Sequence, residues 1–152
     1  MESDEEPGFI SQWEEEVSQL YDSALAAPSK SRAGLLAVTD ELAARILAEV
    51  GVDVAGFSHL IDVDALRHIH KQHGSNREIT RGQVPIVKQD ILCLRLIVTE
   101  PDTITFSEIS RRGLTRIEVT KELQGHRFYC VLEVRRGRWR LMPVTLYKRR
   151  SR

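Results

Sequence analysis

The last third of this chain alternates apolar and polar residues, and that pattern constrains the fold more than any other feature. Leu114 to Leu123, Arg127 to Arg135 and Arg138 to Lys148 each repeat with a period of two, the spacing of a strand with two unlike faces. Arg112-Gly113, Gln124-Gly125 and Arg136-Gly137 separate them, and glycine suits the turns of tight hairpins. Thr103 to Glu108, after the Pro101-Asp102 turn, alternates as well, and Leu92 to Thr99 before it is rich in Ile, Leu and Val. The pattern predicts an antiparallel meander. In the run from Arg127, the residues Phe128, Cys130, Leu132 and Val134 form the core face, which leaves Arg127, Tyr129 and Arg135 on the other. In the final run, strict alternation places Trp139, Leu141, Pro143, Thr145 and Tyr147 together, opposite Arg140, Met142, Val144, Leu146 and Lys148. Pro143 has no amide hydrogen to give a neighbour, so an edge strand or a bulge is expected there.

The first half has a helical period instead. Ile10, Trp13, Val17, Leu20 and Tyr21 recur in steps of three and four, and Ser11 precedes Glu14 at a capping-box spacing. A second helix is expected from Ala33 or Thr39 to Val50, closed by Gly51. Together these predict an acidic helical hairpin over residues 9–51, behind a disordered acidic lead at 1–8. Val52 to Leu60 reads as a short strand or extended entry. Asp62 is placed to cap a third helix, Val63 to His73, which Gly74 ends. A helical turn or short helix follows from about Gln83 to Asp90. Residues 52–152 then form a basic domain, and the fold class is α+β, with N-terminal helices ahead of the meander.

The formal net charge is zero, but it is unevenly distributed. Residues 1–50 carry 11 acids and 3 bases, and residues 111–152 carry 3 acids and 13 bases, eleven of them Arg. A surface merely kept in solvent needs no single sign. A field of this density attracts a polyanion, and the guanidinium fork matches phosphate geometry. The acidic first fifty residues could cover that face in cis or form an unrelated arm. No apolar run reaches the ~20 residues of a membrane span. The acidic start is the charge opposite of a secretion signal, so a cytoplasmic location with Cys93 and Cys130 as reduced thiols is expected.

Three of the five histidines fall in Arg67-His68-Ile69-His70-Lys71-Gln72-His73. His70 and His73 share a helix face, whereas His68 and His73 are about 140° apart on an ideal helix. This cluster has three readings: surface histidines on an amphipathic helix, metal-free acid–base or phosphate chemistry, or a metal pair. The last would need a third ligand from His59, Asp62, Asp64 or His126, and no CxxC or HExxH pattern supports it. Phosphate-loop, dinucleotide, nucleophile-elbow and RNA-recognition signatures are absent. Thr145 and Tyr147 offer hydroxyls two residues apart, and Tyr129 offers a ring beside Arg127.

The run Asp62-Val-Asp-Ala-Leu-Arg-His-Ile-His-Lys-Gln-His-Gly74, the segment Val84-Pro85-Ile86, the strands, and the terminal Val144-Thr145-Leu146-Tyr147-Lys148 resemble the phage-associated nucleases of the barnase–EndoU–colicin–RelE superfamily, over roughly residues 55–149. The resemblance implies a compact helix-plus-sheet endoribonuclease that needs no metal or other cofactor, often a toxin held by a cognate immunity or antitoxin protein. It implies catalytic roles for His68, His73, Thr145 and Tyr147. His70, Lys71, Arg116, Arg127 and Tyr129 are then expected to contact RNA. His70 is an extra imidazole inside the motif. For His68 and His73 to meet at one phosphate, the helix must end or distort near His73, where Gly74 follows. A noncatalytic nucleic-acid-binding or phage structural module is the alternative.

Overall fold

The computed structural model describes residues 14–22, 32–73 and 82–151. In chain order these form helix α1 (residues 14–22), strand β1 (Arg32–Ala37), helix α2 (Asp40–Val50), strand β2 (Ser58–Asp62), helix α3 (Val63–His73), the short helices α4 (Lys88–Leu92) and α5 (Leu94–Thr99), strands β3 (Thr103–Ile109), β4 (Thr115–Leu123) and β5 (His126–Arg135), a 3₁₀ turn (Arg136–Arg138) and strand β6 (Arg140–Arg150). The strands make one sheet in the order β1-β2-β6-β5-β4-β3. β2 runs parallel to β6, and every other neighbouring pair is antiparallel. The architecture is mixed α/β with an antiparallel-dominated sheet, and β3 to β6 form the meander that the alternation predicts.

Two elements differ from the sequence reading. Residues 33–37, offered as one start of the second helix, belong to β1, where Leu36 pairs with His59 of β2. The helix starts at the other position. Thr39 is extended, and its Oγ1 accepts the Leu42 amide at 3.1 Å, which caps α2. The hairpin expected over 9–51 is therefore interrupted by a strand of the sheet. The 1–8 lead and the Ser11 cap lie outside the described residues. The second difference concerns the segment at 83–90. Val84 donates its amide to the Lys148 carbonyl at 2.9 Å in an isolated bridge to β6, and helix begins only at Lys88. The aliphatic run ahead of the meander is helical as well. Leu94, Ile97 and Val98 of α5 are buried against the sheet.

The core lies on one side of the sheet. Leu42 and Ile46 of α2, Ile91 of α4 and the three α5 residues pack with Ile104, Ile117, Val119, Phe128, Cys130, Leu132, Leu141 and Leu146. Both cysteines are free thiols, Cys130 buried and Cys93 half-buried. One ion pair is buried in this layer. Lys148 and Asp90, each 7% exposed, meet at 2.7 Å, and the same Asp90 carboxylate accepts the Val87 amide at 2.9 Å. The pair fixes α4 to the end of β6.

The bulge expected at Pro143 is present, but in an interior strand. Leu132 pairs with Pro143 and Val131 with Thr145, so Val144 is an extra residue. The β2 pairing has already ended, since it involves only Arg140 and Leu141 of β6. On the β2 side, no strand among the described residues reaches Pro143 to need the amide hydrogen that proline lacks. The bulge also corrects the face assignment, because an inserted residue reverses the alternation. Leu141 and Pro143 share the core side with Leu146 and Lys148. Arg140 and Met142 join Thr145, Tyr147 and Arg149 on the open side, opposite Arg135, Glu133, Val131, Tyr129 and Arg127 of β5. Trp139 leaves the strand altogether. It sits at φ 57° after the 3₁₀ turn and is largely exposed.

Candidate active site

Helix α3 is held in one rotational setting. Asp62 Oδ1 accepts the Ala65 amide at 2.9 Å at its start, and Leu66 and Ile69 are fully buried. His68 is consequently exposed at the margin of the open sheet face. There it lines a cleft of about 430 Å³ with Asp62, Asp64 and Ala65 on the helix side, Met142 to Thr145 on β6, and three arginines, Arg112, Arg116 and Arg135. Those arginines come from the β3–β4 turn, β4 and β5. The turn is tight, with Gly113 at φ 81° and the Ser110 amide bonded to the Leu114 carbonyl at 2.8 Å, and it carries Arg112 toward the sheet.

Glu133 anchors the arginines. It is 2% exposed, and its carboxylate takes Arg135 Nε at 2.8 Å, Arg116 Nη2 at 3.1 Å and Arg112 Nη2 at 3.7 Å. Arg116 also reaches Glu108 at 2.9 Å. Burial works against the Glu133 charge, but the hydrogen bonds and positive charge of Arg135 and Arg116 outweigh it and hold the carboxyl below its ordinary value. Three guanidinium groups around one buried carboxylate leave a net positive cluster. It is shared with an adjoining cleft of about 530 Å³ that Arg111 and Ser110 also line. A preorganised array of planar donors beside an imidazole can hold a phosphodiester anion and stabilise further negative charge on it.

The other expected site residues are dispersed. Thr145 and Arg116 lie in the cleft with His68. Tyr147 is one alternate position beyond Thr145 on the same face. Its hydroxyl donates to Glu118 at 3.2 Å, and burial, the Glu118 charge and that hydrogen bond push its pKa up to about 12. Its ring stacks on Tyr129, with centroids 4.7 Å apart and planes 6° from parallel. Tyr129 and Arg127 line a separate trough on β3, β4, β5 and the end of β6. His70 turns the other way. Its Nδ1 is 3.4 Å from the Tyr21 hydroxyl of α1. Lys71 is exposed and lines neither cleft. His73 ends α3, and its side chain lies outside the described residues.

Of the residues offered as further metal ligands, His59 is buried in β2 and His126 opens β5 at the far end of the meander. Among the described residues, no three of His, Cys, Asp and Glu converge in a way that would hold a metal ion. The sequence pattern puts Arg112 in a turn and Arg135 on the open face but gives neither a site role, and it does not point to Glu133; the convergence of four side chains from three elements is a tertiary fact.

A family model described as phage-Barnase-EndoU-ColicinE5/D-RelE like nuclease3 matches residues 36–152. The chain belongs to this nuclease family. The match begins at the end of β1 and takes in every later element, including the whole of the cleft. No curated protein and no solved structure gives a significant match. Among the described residues, no helix is long and apolar enough to cross a membrane.

Proposed function

We propose that the chain is an endoribonuclease toxin that cuts RNA through attack of the ribose 2′-hydroxyl on the adjacent phosphorus. One observation carries this reading: His68, Thr145, Arg112, Arg116 and Arg135 line one cleft, so an imidazole, a hydroxyl and three phosphate-matching groups face the same space. A phosphodiester seated there puts its non-bridging oxygens on the arginines, and Thr145 donates to one of them. His68 and His73 divide the proton work. One takes the 2′-hydroxyl proton as the oxygen–phosphorus bond forms. The other, or Tyr147, protonates the departing 5′-oxygen as its bond to phosphorus breaks. The products are a 2′,3′-cyclic phosphate and a 5′-hydroxyl. The arginines stabilise the extra charge of the pentavalent state, and Glu133 keeps their planes fixed while it is reached. The arginine cluster is also the natural target of an acidic immunity or antitoxin protein.

The test uses purified protein, RNA oligonucleotides and excess chelator. Cleavage should persist with chelator and stop at a linkage whose ribose is replaced by deoxyribose. Loss of cleavage with chelator, or cutting at the deoxyribose linkage, would refute the 2′-hydroxyl route.

A further inference from the structure

We propose that the stacked Tyr129–Tyr147 pair, with the arginines lying over it, is a subsite for an unpaired nucleobase of the RNA whose phosphate is held beside His68. This inference rests on the nuclease reading and names the form of RNA it takes. The trough has a volume of about 810 Å³ and is lined by Thr103, Thr105, Glu118, Thr120, Glu122, Arg127, Tyr129, Arg149, Arg150 and Ser151. Arg127 lies 5.9 Å from the Tyr129 ring centre, and Arg149 lies 5.8 Å from Tyr129 and 6.0 Å from Tyr147. Arg149 is exposed, and among the described residues it has no carboxylate partner. Its cation is nearly equidistant from the two ring centres, and with the Tyr129–Tyr147 stack it makes a cationic aromatic patch, the kind of surface on which bases of single strands stack.

What separates the trough from the cleft is its tyrosine ring. Carboxylates stand among the arginines of both, Asp62 and Asp64 at the cleft and Glu118 and Glu122 at the trough, but Tyr129 lines the trough and, among the described residues, no Phe, Tyr or Trp lines the cleft. Beside that ring, Glu118 and Glu122 are placed to accept the N–H groups on the edge of a stacked base, with Glu122 3.4 Å from Arg127. The two sites are neighbours on one face of the sheet: Thr145 lines the cleft, and Tyr147, which stacks on Tyr129 of the trough, follows it by two strand residues, roughly 7 Å. A base locked in a duplex has its faces covered and its edge paired, so it cannot use this platform.

The experiment measures binding of a 2′-O-methyl octanucleotide, which cannot be cut by 2′-hydroxyl attack, by fluorescence anisotropy. The strand is presented alone, in a duplex, and with abasic sites. The native protein should prefer the single strand. Tyr129→Leu and Arg149→Ala should each weaken that binding about tenfold, with little change for the duplex or the abasic strand. Arg149→Lys keeps the charge but loses the flat face, and it should behave as Arg149→Ala. Native affinity in Arg149→Lys, or equal binding of duplex and single strand by the native protein, would overturn the subsite. No cleavage enters this measurement, so failure of the nuclease chemistry would be seen separately, in the chelator and deoxyribose experiment.

Discussion

Lowering the pH from 7.5 to 4.5 should cost the fold about 2.5 kcal/mol through one side chain, His59. Its ring is 1% exposed on the core side of β2, beside Leu141 of β6, and neither ring nitrogen has a hydrogen-bond partner among the described residues. Burial alone pulls its pKa down from 6.5 to about 4. The folded state therefore favours the neutral ring, while the unfolded chain takes up a proton once the pH falls below 6.5. The contribution is fully present above that value. It declines as the pH falls and levels off below about 4. The full 2.5-unit gap corresponds to roughly 3.4 kcal/mol, of which about 2.5 is lost by pH 4.5. Carboxylates also titrate in this range, so the clean quantity is the difference between native protein and His59→Leu. Leucine is of similar size and leaves no polar atom unpaired, so at pH 7.5 the variant should be at least as stable. Urea unfolding at a series of pH values should show the variant gaining about 2.5 kcal/mol on the native protein by pH 4.5, or about 7 °C in Tm for a chain of this size. Parallel pH curves for the two proteins would refute the reasoning, because no buried neutral imidazole would then be charging on unfolding.

Two further substitutions examine other parts of the structure. Lys148→Met should destabilise the protein by about 3–5 kcal/mol, because it leaves Asp90 charged and unpaired in the core; adding Asp90→Leu should recover most of that loss in urea denaturation. Arg112→Ala removes a well-exposed guanidinium from the cleft wall, so the salt dependence of single-stranded RNA binding should become shallower by about 0.7 in log–log slope, with the fold intact by circular dichroism.

The parts of the fold that repeat were legible in the sequence. Alternation marks β4 and β5, glycine marks their turns, and the Asp62 cap with Leu66 and Ile69 sets the rotation of α3 that brings His68 to the sheet margin. Pro143 signalled a bulge. The reversal of faces it causes could not be placed until the register showed that Val144 is the inserted residue. Arg32–Ala37 has no alternation. It is a strand because β2 offers an edge, a case of tertiary pairing overriding local preference. Thr99 and the β-branched Ile97 and Val98 are helical for the opposite reason, since α5 buries its apolar side on the sheet. Of the residues that the resemblance names, His68, Thr145 and Arg116 line one cleft, and His70 lies toward Tyr21 instead. The Glu133 cluster was hidden because its arginines are 2, 17 and 21 residues away in the chain, and only the sheet brings them together.

The central claim is that His68 works on a phosphate held by the arginines of the sheet. It is tested most directly with a DNA oligonucleotide containing one ribose, by comparing native protein with His68→Ala and identifying the product ends by mass spectrometry. Native protein should cut only after the ribose and leave a 2′,3′-cyclic phosphate, and His68→Ala should cut about 10²- to 10⁴-fold more slowly. A variant that cuts at the native rate, or product ends without the cyclic phosphate, would contradict it.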